Sequence, residues 1–395
     1  MNSDAVYRAA YRFADSFGDT AAAYVHIPFC ATICPYCDFA VVEGQDDLAR
    51  RYVDAVVTEI DSSDSWRPLE AIYFGGGTPS HVDPTLLDMI LKALDARHGI
   101  APDAEISLEA NPEDFTSQRA ELLKRIGFNR VSFGAQSFDS AVLVSLGRRH
   151  RGDHIAISVQ AARRAGFDNI SLDLIYGTPG ERKRSWALTM TQAIGLMPDH
   201  VSCYALTVER GTPLGRAVNK GAPAPDPDVQ ADRYEYADTT LSQSGFERYE
   251  VSNWSRPGFE CRYNMTVWAQ GEYEAYGNGA HGYRRGRRFR NIRRLEAYIN
   301  SIEDSHSARA GEEVIEGWDA ELDRLFVGLR RTAGVTAGQG TMALLDSDDG
   351  RRLIEAGVIS MDQDRLRIVK PLLTDAVHRS AMALQRPIVS GETNA

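Results

Sequence analysis

Between about residues 21 and 245, short β-type runs alternate with amphipathic helical segments, and this alternation constrains the fold more than any other feature of the 395-residue chain. A strand, a crossover helix and a second strand give parallel neighbours, because no tight turn can reach a parallel partner. The predicted strands are Tyr24 to Ile27, Ala71 to Phe74, Glu105 to Glu109, Arg130 to Phe133, Ile170 to Ile175 and His200 to Leu206. A helix predicted over Asp47 to Ile60 repeats Leu48, Tyr52, Val53, Val56, Val57 and Ile60 at helical spacing. Six such units specify an α/β chain folded as an open, partial (β/α)6 barrel. The two further units that would close an eight-fold barrel are not visible.

The remainder is read in pieces. Residues 1–20 form an N-terminal tail and 21–245 the barrel. The proline-rich stretch from Gly221 to Pro227 reads as a loop capping a helix that begins near Asp228. From 246 to 312 the pattern is irregular. From 313 to 395 it reads as helices followed by a short hairpin, Gly357 to Val369, a small winged-helix-like domain.

Charge and apolar content narrow the function classes. Lys plus Arg number 44 against 55 Asp plus Glu, a net charge of −11, which disfavours tracking along nucleic-acid phosphates. The exception is local: Arg284, Arg285, Arg287, Arg288, Arg290, Arg293 and Arg294, either a solvated face or an anion site for ligand carboxylates. The start of the chain carries Asp4, Asp15 and Asp19 and lacks a basic segment followed by a long apolar one. No stretch approaches the roughly 18 apolar residues of a membrane helix, so a cytoplasmic protein without an integral membrane segment is expected.

Three of the five cysteines, Cys30, Cys34 and Cys37, fall in a CxxxCxxC spacing on the loop that leaves the first strand. This is poor material for disulfides and good material for a metal site, at the strand end where α/β barrels place their sites. Three thiolates suit a [4Fe-4S] cubane, whose fourth iron stays open for a ligand. The alternative is a structural zinc site, which wants four closed ligands and could recruit His26. Cys203 and Cys261 read as ordinary buried thiols.

From these residues onward the chain resembles the radical S-adenosylmethionine (SAM) superfamily, and within it the branch containing the anaerobic coproporphyrinogen III oxidases and the HemW-type heme chaperones. The resemblance rests on Tyr-Val-His-Ile-Pro-Phe-Cys (24–30), Cys-Pro-Tyr-Cys-Asp-Phe (34–39), Gly-Gly-Gly-Thr-Pro-Ser (75–80), Ser-Phe-Gly-Ala-Gln-Ser-Phe (132–138) and Asp-Leu-Ile-Tyr-Gly-Thr-Pro-Gly (173–180). It implies a [4Fe-4S] cluster on the three cysteines, an electron donor for it, and SAM chelated to the open iron. One electron can then cleave the sulfonium to give a 5′-deoxyadenosyl radical. It further implies that Gly76, Gly77 and Thr78 contact SAM together with Tyr24, Glu109, Gln136, Arg148 and Asp173. Tyr36, between two cysteines, either packs over the cluster or adenine or makes an ordinary aromatic contact.

Two departures bear on which member of the branch this is. The oxidases place a further cysteine where this chain has Phe39, and only 23 residues precede Tyr24 here. Both favour a heme chaperone, binding heme and passing it to an acceptor protein, over the oxidative decarboxylase. In the chaperones a His-Asn-x-x-Tyr-Trp segment is implicated in heme binding. It falls here within the family-specific extension, 246–312, as Tyr263, Asn264, Met265, Thr266, Val267 and Trp268, so the asparagine and tryptophan remain while the histidine and the tyrosine are replaced. Tyr263 is the expected substitute ligand, with Trp268 beside it, and His281 is the other candidate.

Overall fold

The structure, a computed structural model, describes residues 16–385; most of the expected 1–20 tail lies outside them. Six parallel strands form as the alternation requires: β1 (Ala22–Ile27), β2 (Leu69–Gly76), β3 (Ile100–Ala110), β4 (Arg130–Gln136), β5 (Asn169–Tyr176) and β6 (His200–Ala205). They pair in sequence order, β1 to β6, as an open sheet. The first crossover helix, Ala49–Ser62, lies close to its expected place. The proline-rich loop ends as read: Asp226 accepts from the Asp228 and Val229 amides, and Pro227 opens the helix Pro227–Gln243.

Period-two alternation gives this sheet two different faces. Ile72 and Phe74, Ile106 and Leu108, Val131 and Phe133, Leu172 and Leu174, and Val201 and Cys203 point outward into the main apolar core with the crossover helices. The residues between them point inward and are polar: Tyr73, Glu109, Arg130, Ser132, Asp173, His200 and Ser202 all line one cavity. Burial of the outer face holds the barrel together. The inner face is left free for chemistry.

The stretch after 246 supplies six more strands to the same sheet: β7 (Glu247–Arg248), β8 (Asn253–Ser255), β9 (Tyr273–Tyr276), β10 (His281–Arg284), β11 (Arg287–Asn291) and β12 (Arg309–Val314). The full order is β12-β11-β10-β9-β1-β2-β3-β4-β5-β6-β8-β7. Strand β9 pairs parallel with β1, a seventh parallel strand; the other additions are antiparallel. Sequence reading finds only irregularity here because β9 is four residues, Tyr-Glu-Ala-Tyr, and is preceded by a helix of only seven, Arg262–Trp268.

The C-terminal unit has its own core, built from Leu325, Leu329, Leu344, Val358, Leu366 and Val377. Helices Gly317–Gly328, Gln339–Asp346 and Asp348–Glu355 precede a hairpin, Ile359–Asp362 with Arg365–Ile368, and Val335–Thr336 adds a third strand. This is the helix-then-hairpin order expected of a winged-helix-like unit.

Candidate cofactor site

The cysteine loop is pinned at both ends. Phe29 and Cys30 pair with Val42 and Glu43 in a two-residue parallel bridge, and Cys37 N donates to Cys34 O at 3.1 Å in the turn between them. Cys30, Cys34 and Cys37 line a cavity of about 400 Å³ at the C-terminal ends of the barrel strands. Burial pushes the Cys30 thiol up to about 12, opposed by a hydrogen bond from Thr78 Oγ1 at 3.6 Å. Burial raises Cys37 as well. Thiolates here therefore need a cationic partner.

His26 is not available as a fourth ligand. Its Nε2 lies 2.9 Å from Ala40 O, which can only accept, so Nε2 carries the proton and Nδ1 accepts from Tyr24 Oη at 3.1 Å. Burial lowers the ring to about 4, which keeps it neutral. Among the described residues no three Cys, His, Asp or Glu side chains converge closely enough to hold one metal ion. The three sulfurs stand around a cavity, with no fourth protein ligand, which fits a cubane offering a separate iron to each thiolate and does not fit closed zinc.

The glycine run does more than open a path to the backbone. Gly77 N donates to Ile27 O at 2.8 Å and Thr78 N to Phe29 O at 2.9 Å, so the end of β2 is bonded along the root of the cysteine loop. Gly76, at φ +107°, leaves no room for a Cβ, which would come within 2.3 Å of the His26 ring. Its amide is already committed to Glu109 Oε2 at 3.1 Å.

The structure places Tyr36, Gly76, Gly77, Thr78, Glu109, Gln136, Arg148 and Asp173 on the cavity wall. Glu109 accepts from Tyr73 Oη at 2.9 Å; burial, with Asp173 nearby, raises its carboxyl to about 7. Asp173 is held by hydroxyls of three strands, Ser132 at 2.9 Å, Ser202 at 2.7 Å and Ser171 at 3.4 Å, although burial still raises it. Gln136 follows an irregularity in the β4–β5 pairing and sits at φ +60°, the left-handed region a non-glycine residue rarely takes. Arg148 donates to Cys34 Sγ at 3.3 Å, to Gly134 O at 3.0 Å and to Asn111 Oδ1. Tyr24 is not on the wall: it stacks on Tyr73 at 6.3 Å and spends its hydroxyl on His26. Sequence reading missed Asn111, whose signal is its place two residues after Glu109 at the end of β3.

The superfamily model described as Radical SAM matches residues 24–193, the segment that carries this cavity's cysteines and glycines with Glu109 and Asp173. A protein named heme chaperone HemW from Synechocystis sp. is 39% identical over 328 residues, 80% of each chain. One of the same name from Mycobacterium tuberculosis is 35% identical over 92% of this chain and 95% of its own. The chain belongs to the radical SAM superfamily. Its sequence places it in the HemW-type branch, and its fold matches the solved structure of Escherichia coli coproporphyrinogen III oxidase (HemN) with a TM-score of 0.79 at 22% identity, over 96% and 93% of the two chains.

Membership in the radical SAM superfamily implies a [4Fe-4S] cluster and SAM, and the cavity's donor set fits both. Three thiols with two hydrogen-bond donors on their sulfurs suit the cluster. The polar side chains Glu109, Gln136 and Asp173 on the cavity wall suit an adenosyl and methionyl ligand, and Arg148 keeps a buried Nε with no partner.

The heme-segment residues are not brought together. Tyr263 packs against Tyr24 at 5.8 Å, Tyr73 at 5.3 Å and Tyr273 at 5.8 Å, and desolvation raises its phenol well above the ordinary value. Deprotonating that phenol would need a cation such as ferric iron at its oxygen, as the buried thiols do. Trp268 turns toward the C-terminal unit, under the Arg330 guanidinium at 4.6 Å. His281 is exposed at the start of β10, opposite Arg290. Most of the arginine run is neutralised by pairs, Arg284 with Glu274, Arg285 with Asp64 at 3.2 Å, Arg287 with Glu312 at 2.6 Å and Arg288 with Glu313 at 3.2 Å.

Proposed function

We propose that this chain is a heme chaperone, a radical SAM protein that binds heme and hands it to an acceptor hemoprotein in the cytoplasm. The observation that carries the reading is Phe39. At the position where the oxidases place a further cysteine, this chain has a phenyl ring that is 62% exposed at the cavity mouth and has no sulfur chemistry to offer. Relatives named heme chaperones, 35–39% identical over 79–92% of this chain, support it. Among the described residues no helix is long and apolar enough to cross a membrane.

The cluster, when bound, supplies one-electron chemistry to SAM, with electrons from a donor protein. The barrel residues hold and shield that ligand. For heme we favour His281. Partial desolvation and the charges of Arg290, Arg288 and Arg293 lower its imidazole, keeping it in the neutral form that ligates iron, and Arg290 and Arg293, outside the acid pairs of the arginine run, can face heme carboxylates. The test is an anaerobic assay of reconstituted protein with SAM, offered hemin plus an apo-hemoprotein in one arm and coproporphyrinogen III in the other. Saturable hemin binding and transfer are expected. Protoporphyrinogen formed above a control lacking SAM would replace the chaperone reading with the oxidase.

A further inference from the structure

Two side chains donate to cluster-ligand sulfurs, Thr78 to Cys30 and Arg148 to Cys34, and one amide joins them. Asn111 Nδ2 lies 3.1 Å from Thr78 Oγ1, and Asn111 Oδ1 accepts from Arg148 Nη2. Its orientation is forced, because a guanidinium can only donate and so must face the amide oxygen. The amide nitrogen then donates to Thr78, which directs the hydroxyl's single proton to Cys30 Sγ, 3.6 Å away. On the other arm Asn111 and Gly134 O together hold Nη2, which leaves Nη1 aimed at Cys34 Sγ at 3.3 Å. The Asn111 backbone is itself fixed, its amide donating to Ser80 Oγ at 3.3 Å.

We propose that Asn111 is a positioning residue that sets the reduction potential of the cluster by orienting both sulfur donors at once. Hydrogen bonds and positive charge at the thiolates stabilise the more negative, one-electron-reduced cluster and so raise its potential. Its bonds to both Thr78 and Arg148 make Asn111 the point where both donors are controlled. Removing it frees the Thr78 hydroxyl to rotate and leaves Arg148 Nη2 on Gly134 O alone, loosening the aim of Nη1 at Cys34. This role is independent of what the protein does with heme.

The experiment uses Asn111→Leu, which keeps the volume and loses both bonds, and Asn111→Ser, which keeps a small polar group. Full-length protein is reconstituted anaerobically, its iron and sulfide are measured, and the midpoint potential is followed by electron paramagnetic resonance under stepwise reduction with dithionite. Full iron content with a midpoint shifted to more negative potential in both variants is expected, with a smaller shift in Thr78→Val, which loses one donor only. A full cluster with an unchanged midpoint overturns the proposal. Loss of iron in both Asn111 variants overturns it as well, since Asn111 would then be scaffold for the loop and not a tuner of its cluster.

Discussion

Gly77 and Pro28 meet backbone to backbone: the Gly77 amide donates to Ile27 O at 2.8 Å, and a Cβ on Gly77 would stand 2.7 Å from the Pro28 carbonyl carbon. The glycine run and the cysteine loop are thus one packed unit, two residues before Cys30.

Gly77→Ala should therefore destabilise the protein by roughly 1–3 kcal/mol, the usual cost of forcing atoms into a packed site, because the crowding atoms are backbone and cannot rotate away. It should also lower iron incorporation by displacing Cys30. Gly195→Ala is the control: it ends the helix Lys183–Gly195 with nothing within 4 Å of the added Cβ, and should be neutral or slightly stabilising. Thermal melting and iron analysis check both, and equal behaviour of the two variants would contradict the packing argument.

Cys34→Ser should lose the cluster while the barrel still folds. Two thiolates leave a second iron without a protein ligand, whereas the apolar core of the outer sheet face takes from the cysteine loop only its two anchors, Phe29 and, at the edge, Val42. Iron and sulfide content read the loss, and far-ultraviolet circular dichroism reads the fold. Unchanged iron would remove the assignment of Cys34 as a ligand.

Stability should fall as pH rises through neutrality, in part through Glu59. This buried carboxyl accepts from Tyr298 Oη at 2.6 Å, Asn291 Nδ2 at 2.6 Å and Gly277 N at 2.9 Å, yet burial still raises it to about 7. A folded value above the unfolded one means that its contribution is fully present below about pH 4.5 and lost through about pH 7. The full swing for such a group is on the order of 3 kcal/mol. Glu109 and Glu181, both also raised to about 7 by burial, add in the same sense. Urea unfolding at pH 5 to 8 should show a shallower slope for Glu59→Gln, and an identical slope would place the dependence elsewhere.

Hemin spectra should separate the candidate ligands. Tyr263→Phe is expected to leave the spectrum of the hemin complex unchanged, because that ring is stacked on Tyr24 and Tyr73 and edge-on to Tyr273. His281→Ala is expected to weaken binding at least tenfold, the loss of about 1.4 kcal/mol or more. The reverse pattern would restore Tyr263 as the ligand.

Much of the site was legible because its residues obey local rules. Three cysteines in eight residues after a strand and a glycine run ending the next strand follow from spacing, whereas Glu109, Gln136 and Asp173 were singled out by the family resemblance, with alternation placing Glu109 and Asp173 on the inner face. Those rules place side chains at the mouth of the barrel wherever the strands are parallel and in order. Tyr24 shows their limit: it occupies the inward register, but its neighbours Tyr73 and Tyr263 cover it.

The sequence by itself determined the barrel, the cysteine loop and the family, since each depends on residues within a few positions of one another. The tertiary structure alone decided which polar groups meet. His26 is excluded as a ligand by Tyr24 and Ala40, β9 joins β1 across 251 residues at Ala22 and Tyr273, and Asn111 comes to bridge Thr78 and Arg148. Such contacts leave no periodic trace, because packing that brings distant strands together, and not any local propensity, sets the distances between their side chains.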